Sequence, residues 1–158
     1  MANRTFAVGD IHGDLEALEK AINKIPKLDE KDTVVLMGDY LDRGADSAQV
    51  IDFVRKELPK RVPGKLVCLR GNHEQLMLEA RLGHDRLTEW IYSGARPTLA
   101  SYVAPGAIAT LADIPAAHWD FLENQCGDWH ETDTPMFLPA GVDPTFPTEH
   151  SPATLVPC

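Results

Sequence analysis

No stretch of this 158-residue chain stays apolar long enough to cross a bilayer, and MANRTFAVGD at its start has no apolar run with a small-residue cleavage site. Neither a membrane span nor a secretory leader is expected, and the expected compartment is the cytoplasm. Cysteine is scarce: Cys68, Cys126 and Cys158 are odd in number, widely spaced and without a C-x-x-C pair. That argues against a disulfide framework and a zinc knuckle. Cys68, inside the apolar run KLVCL, reads as a small core residue. No Lys/Arg cluster offsets a formal charge of −9, so neither nucleic acid nor an anionic membrane is an expected partner. An anionic substrate would need a local source of positive charge. There is no internal repeat and no low-complexity segment; the one compositional shift is a Pro/Thr-rich tail after Val142.

What is present has a regular order. Three apolar, β-branched runs, TFAV at 5–8, TVVLM at 33–37 and KLVCL at 65–69, read as strands buried on both faces. Between them, Leu15, Leu18, Ile22 and Ile25 recur at helical spacing up to Pro26, and Val50, Ile51, Val54 and Leu58 do so up to Pro59. The order β-α-β-α-β predicts one α/β domain on a parallel sheet, with ligands at the carboxyl ends of its strands. Further helices are expected from Asn72 to Leu82 and over roughly 85–92 and 115–124, and a further short strand at 136–138.

Each of the three strands runs into a cluster of glycine with metal-binding side chains: GDIHGD at 9–14, GDYLDRG at 38–44 and GNHE at 71–74. Any one of them is compatible with an ordinary turn. Three together, each at the end of a predicted parallel strand, point to a shared site. Asp10 and His12 are two apart, so in extended backbone both side chains point to one side and can share a cation. Asp39 adds a carboxylate that can bridge two ions, and Asn72 a neutral carbonyl oxygen. Carboxylate, imidazole and amide ligands suit manganese, iron or zinc rather than a thiolate-bound metal.

GDIHGD, GDYLDRG and GNHE, in this order, resemble the signature of the phosphoprotein (serine/threonine) phosphatase branch of the calcineurin-like metallophosphoesterases, bacterial type. The likeness continues more weakly through WIYSG and AGVDP, over roughly residues 4–144. It implies an αββα sandwich and two divalent ions, with direct attack of a metal-bound hydroxide on phosphorus. By this resemblance Asp10, His12 and Asp39 hold the first metal, and Asp39 bridges to a second that Asn72 also binds. Arg43 grips the phosphate with its guanidinium fork. His73 contacts the phosphate as well and protonates the departing alkoxide, while Asp42 pairs with His73 and orients it. Substrates are then phosphorylated proteins or small phosphate esters. Outside this set, Asp14 is expected to cap its helix, Glu74 to stabilise the start of the next, His84 to close a helix and His118 to be structural.

The pattern breaks towards the carboxyl end. Where the family has Val-His-Ala-Gly, supplying a second-metal histidine, this chain has Leu138-Pro139-Ala140-Gly141, and it ends before the further histidine and the strands that would complete the second sheet. Proline has no donor atom to replace imidazole. His150, in the tail, matches no family motif. Ser93-Gly94-Ala95 stands where bacterial relatives carry Asn-Gly-Gly, and the following Arg96 is as readily a surface side chain as a phosphate contact. The sequence therefore reads as a C-terminally truncated member: a domain over 1–144, an incomplete second sheet and a disordered tail over 145–158. A weakly held second ion, impaired hydrolysis and exposed apolar surface near the third strand and 136–138 are expected. Two alternatives stand beside the phosphatase reading: a symmetrical bis(5'-nucleosyl)-tetraphosphate hydrolase and a non-catalytic metal- or phosphate-binding remnant.

Overall fold

The computed structural model describes residues 3–132, 135–139, 141–142 and 155–156. The expected strands form as β1 (Thr5–Val8), β2 (Thr33–Leu36) and β3 (Lys65–Cys68). They pair in parallel in the order β1-β2-β3, with Val8, Leu36 and Cys68 in register at their carboxyl ends. The three glycine-rich segments consequently leave the sheet at one edge.

Side chains alternate across a strand, so Val8, Val34, Leu36, Leu66 and Cys68 share one face while Ala7, Val35 and Val67 share the other. The first face carries the core. Val34 and Leu36 cluster there with Leu18 and Ile22 of α1 (Leu15–Lys24) and with Val50 and Ile51 of α2 (Ser47–Asp52). On the second face Val35 is buried, Val67 half-buried and Ala7 exposed. The expectation of strands buried on both faces thus holds for β2 alone. β1 and β3 are edges, and an unbroken apolar run does not require both faces to be covered.

Helix α1 opens where the Asp14 carboxylate accepts from the Ala17 N–H at 2.8 Å, as expected, and stops short of Pro26. The second helix does not stop at Pro59. After α2 it widens into a π turn, Phe53–Glu57, and restarts as α3 (Leu58–Arg61) with Pro59 in the first turn. A missing N–H is harmless there, which is why the proline is tolerated. Helix α4 (Asn72–Glu79) continues as a 3-10 turn to Leu82. Gly83 then caps the start of α5 (His84–Trp90), so His84 opens a helix instead of closing one. Helix α5 passes through a π turn, kinked at Gly94, into α6 (Arg96–Ala100). Helix α7 (Ala116–Asp120) likewise ends in a π turn to Gln125.

The remaining described strands are two-residue antiparallel pairs: β4 (His130–Glu131) with β5 (Met136–Phe137), and β6 (Gly141–Val142) with β7 (Leu155–Val156). The expected 136–138 strand is thus present as β5. Met136 is 47% exposed, and the β3 side chains before Leu69 are at best half-buried. Of the tail at 145–158 only β7 is described; the reading of the rest of it, with His150 and Cys158, lies outside the described residues, as does Ala140. Among the described residues no helix is long and apolar enough to cross a membrane.

Candidate active site

The three glycine-rich segments are stitched together through backbone. Ile11 and His12 both donate to the Asp39 carbonyl, at 3.0 and 2.8 Å, and Gly44 donates to the His12 carbonyl at 3.0 Å. The approach is too close for side chains: a Cβ on Gly44 would lie 2.3 Å from the His12 oxygen, and one on Gly38 would lie 2.4 Å from the Gly71 nitrogen. Gly38 also takes a φ of 96°, which favours glycine. Glu74, fully buried, joins the second and third segments by accepting from the N–H groups of Asp39, Tyr40 and Gly71 at 2.7 to 2.8 Å. Burial first, and then the Asp39 charge, push its pKa up to about 7 against the pull of those three donors. Its role is wider than expected. It does cap α4, but it also holds the backbone of the second segment.

Backbone strain collects at the same place. Among the described residues the non-glycine side chains at positive φ are His12 (47°), Asp39 (50°), Asp42 (70°) and Arg43 (69°), all named from the sequence as site residues. Such conformations cost about 1–3 kcal/mol each and persist only where the surroundings over-determine them.

The side chains then converge. His12 turns Nδ1 to the Leu41 carbonyl at 3.1 Å; a proton there donates to that oxygen and leaves a lone pair on Nε2, which meets Arg43 Nη1 at 2.9 Å. The Asp39 carboxylate lies over Gly71 and accepts from the His73 N–H at 3.2 Å. His73 gives its Nδ1 proton to Asp42 at 2.8 Å and turns Nε2 towards Arg43 Nη2 at 3.3 Å. One donor atom from each of His12, Asp39 and His73 lies within 4.8 Å of the other two. Asp10 is exposed and falls outside this trio, and Asn72 stands half-buried as the first residue of α4. Hydrogen bonding to Asp42 raises the His73 pKa, against the opposing effect of burial.

Residues 4–154 match the family model described as calcineurin-like phosphoesterase. The chain belongs to this family. It is similar to serine/threonine-protein phosphatase 1 of Salmonella typhimurium, 34% identical over 89 residues, which are 56% of this chain and 38% of that protein. It is also similar to a symmetrical bis(5'-nucleosyl)-tetraphosphatase of Pectobacterium atrosepticum, 35% identical over 82 residues, 52% of this chain and 27% of that protein. The chain therefore spans well under two thirds of either relative. Among solved structures, a mutant cold-active protein tyrosine phosphatase shares the fold with a TM-score of 0.57 at 22% identity, over 90% of this chain and 45% of that one.

Members of this calcineurin-like phosphoesterase family are metal-dependent hydrolases, and the donor set here fits divalent ions. The Nε2 lone pair of His12 is held ready by its Nδ1 contact, Asp39 is beside it, and Arg43 already places a cation against both imidazoles. Among the described residues thiolate is disfavoured: burial raises the Cys68 thiol pKa to about 12 and raises that of Cys126 as well.

Two residues that hold the candidate site together were not found from the sequence. Asp42 is fully buried and, besides His73, accepts from Trp90 Nε1 at 2.8 Å and Thr98 Oγ1 at 2.7 Å. Trp90 and Thr98 flank the Ser93-Gly94-Ala95 stretch, and the kink at Gly94 also offers its carbonyl to the Arg43 N–H at 3.1 Å. Arg96 is exposed. His118 is buried, with Nε2 against Asp52 at 3.0 Å and Nδ1 against the Tyr102 hydroxyl at 3.0 Å, in keeping with a structural role.

Proposed function

We propose that this chain hydrolyses phosphate monoesters with divalent metal ions, in the manner of a serine/threonine protein phosphatase. The observation that carries the reading is the convergence of His12, Asp39 and His73 beneath Arg43, with His73 anchored to the buried Asp42. Asp10, His12, Asp39 and Asn72 would hold the ions, manganese, iron or zinc. Bound there, divalent ions supply Lewis acidity: they neutralise phosphoryl oxygens and acidify water. Arg43 offers two parallel N–H donors to the phosphate. His73, its Nδ1 proton fixed by Asp42, delivers a proton from Nε2 to the leaving alkoxide oxygen. With Pro139 in place of the expected histidine, the second ion is the more weakly held, so manganese titration should find one tight site per chain.

Manganese-dependent turnover of an aryl phosphate tests the reading. It should vanish in Asp39→Asn, and a rate untouched by that change would refute the assignment. A second reading, symmetrical hydrolysis of dinucleoside tetraphosphates, is favoured by the 35% identity to the Pectobacterium enzyme. Comparing a phosphopeptide with the dinucleotide as substrate separates the two. Metal binding without turnover would instead support a non-catalytic remnant, the reading that Pro139 favours.

A further inference from the structure

Beside the site, α4 and α5 leave a cavity of about 490 Å³ that begins at Asn72. Asn72 adjoins His73, whose Nε2 serves the leaving oxygen in the function proposed above. The cavity thus starts one residue from that histidine on α4, beside where the group bonded to that oxygen would leave.

The walls carry unbalanced charge. Gln75 and Glu79, with Asn72, come from one face of α4, and Arg86, Glu89 and Ser93 come from α5 and its π turn. Arg86 is the one cation of the lining, and it is already spent on both carboxylates, at 2.9 Å from Glu89 and 3.5 Å from Glu79. Glu79 takes a further hydrogen bond from Gln75 at 2.8 Å. Two carboxylates against one guanidinium leave a net negative wall, on a chain whose formal charge is −9. A polyphosphate leaving group finds no free cation there. An Arg or Lys side chain near a phosphorylated residue finds two acceptors.

We infer that the groove between α4 and α5 is the leaving-group subsite of this phosphoesterase, and that it accepts the basic flank of a phosphorylated polypeptide in preference to a nucleoside polyphosphate. The inference rests on the monoesterase reading and names the substrate class of that same site.

Two phosphoserine peptides that differ only in flanking Arg or Glu residues test it, with diadenosine tetraphosphate as a third substrate and manganese present. The wild-type chain should favour the Arg peptide in kcat/KM by about fivefold at low ionic strength, the scale of one exposed ion pair, and the margin should shrink with salt. In Glu79→Gln/Glu89→Gln the ratio should fall towards one, with aryl phosphate turnover unchanged. Equal turnover of both peptides, a ratio that survives the double substitution, or faster turnover of the dinucleotide than of the Arg peptide would overturn the inference. Failure to hydrolyse aryl phosphate would instead sink the phosphoesterase reading. Fluorescence anisotropy of the same peptides then reads the groove by itself, and equal Kd values would overturn its assignment.

Discussion

His73 and His118 are both nearly sealed from solvent, at 3% and 4% exposure, and each meets an aspartate oxygen, at 2.8 and 3.0 Å. They differ in what their second nitrogen does. In His118 it is consumed by the Tyr102 hydroxyl. In His73 it opens onto Arg43 and the donor atoms of His12 and Asp39. Their carboxylates differ too. Asp42 is fully buried and has three side-chain donors, whereas Asp52 is 44% exposed and shared with Lys56 and Arg55. The result is opposite proton affinity: the bond to Asp42 raises the His73 pKa, and burial lowers that of His118. Burial beside a carboxylate is thus no mark of a functional histidine. What sets His73 apart, and what the proposed function uses, is a second nitrogen that faces Arg43 and lies near the donor atoms of His12 and Asp39.

The strongest attempt to break this contrast is truncation of each ring. His73→Ala should lower kcat for an aryl phosphate by about 10²- to 10⁴-fold, the usual worth of a positioned acid, and should also melt earlier, because the buried Asp42 carboxylate loses a donor. His118→Ala should melt earlier too, but its folded fraction should keep its turnover number. Equal losses of activity in both variants would erase the distinction. Next in size, Asp42→Asn should cost about 10- to 100-fold in activity, as for other partners that orient a site histidine, while Asp52→Asn leaves activity alone.

Much of this was legible in the sequence because the motifs are local. GDIHGD, GDYLDRG and GNHE each follow a strand of their own, and a parallel sheet in register has few ways to keep their ends apart. The helix ends at Asp14 and Pro26 were equally local. What stayed hidden depends on distant partners. Trp90 and Thr98 reach Asp42 across 48 and 56 residues, and nothing in the spacing of an ordinary amphipathic helix marks a side chain that turns to a far loop. Glu74 was legible only in part for the same reason, since its cap on Gly71 is local but its grip on Asp39 and Tyr40 is not. The π turn before Pro59 is a third case: helical periodicity does not register one widened turn.

Trp90→Phe sharpens the contrast from the carboxylate side. It keeps the ring in the core and removes one N–H from a buried charge, which costs about 1.5–3 kcal/mol of stability. Its effect on turnover should be smaller than that of Asp42→Asn, because Thr98 still holds the other oxygen. Denaturant unfolding beside initial rates checks both. If Trp90→Phe matched Asp42→Asn in lost turnover, the orientation of His73 would depend on the indole, not on the carboxylate.

The smallest effect lies with His118 and is a matter of sign. Its folded pKa is below the ordinary 6.5, from burial first, opposed by Asp52, with Arg55 and Lys56 adding to the depression. Below pH 6.5 the unfolded chain then takes up a proton that the folded chain refuses. The contribution of the neutral ring is complete above that pH and is lost as pH falls towards the folded pKa, at no more than about 1.4 kcal/mol per unit. Unfolding midpoints of the wild type and His118→Gln at pH 7.5, 6.5 and 5.5 measure it: the advantage of the wild type should narrow as the solution is acidified. Were it to widen, the Asp52 contact would outweigh burial, His118 would be a stabilising cation like a surface ion-pair member, and the two histidines would no longer differ in the direction of their response.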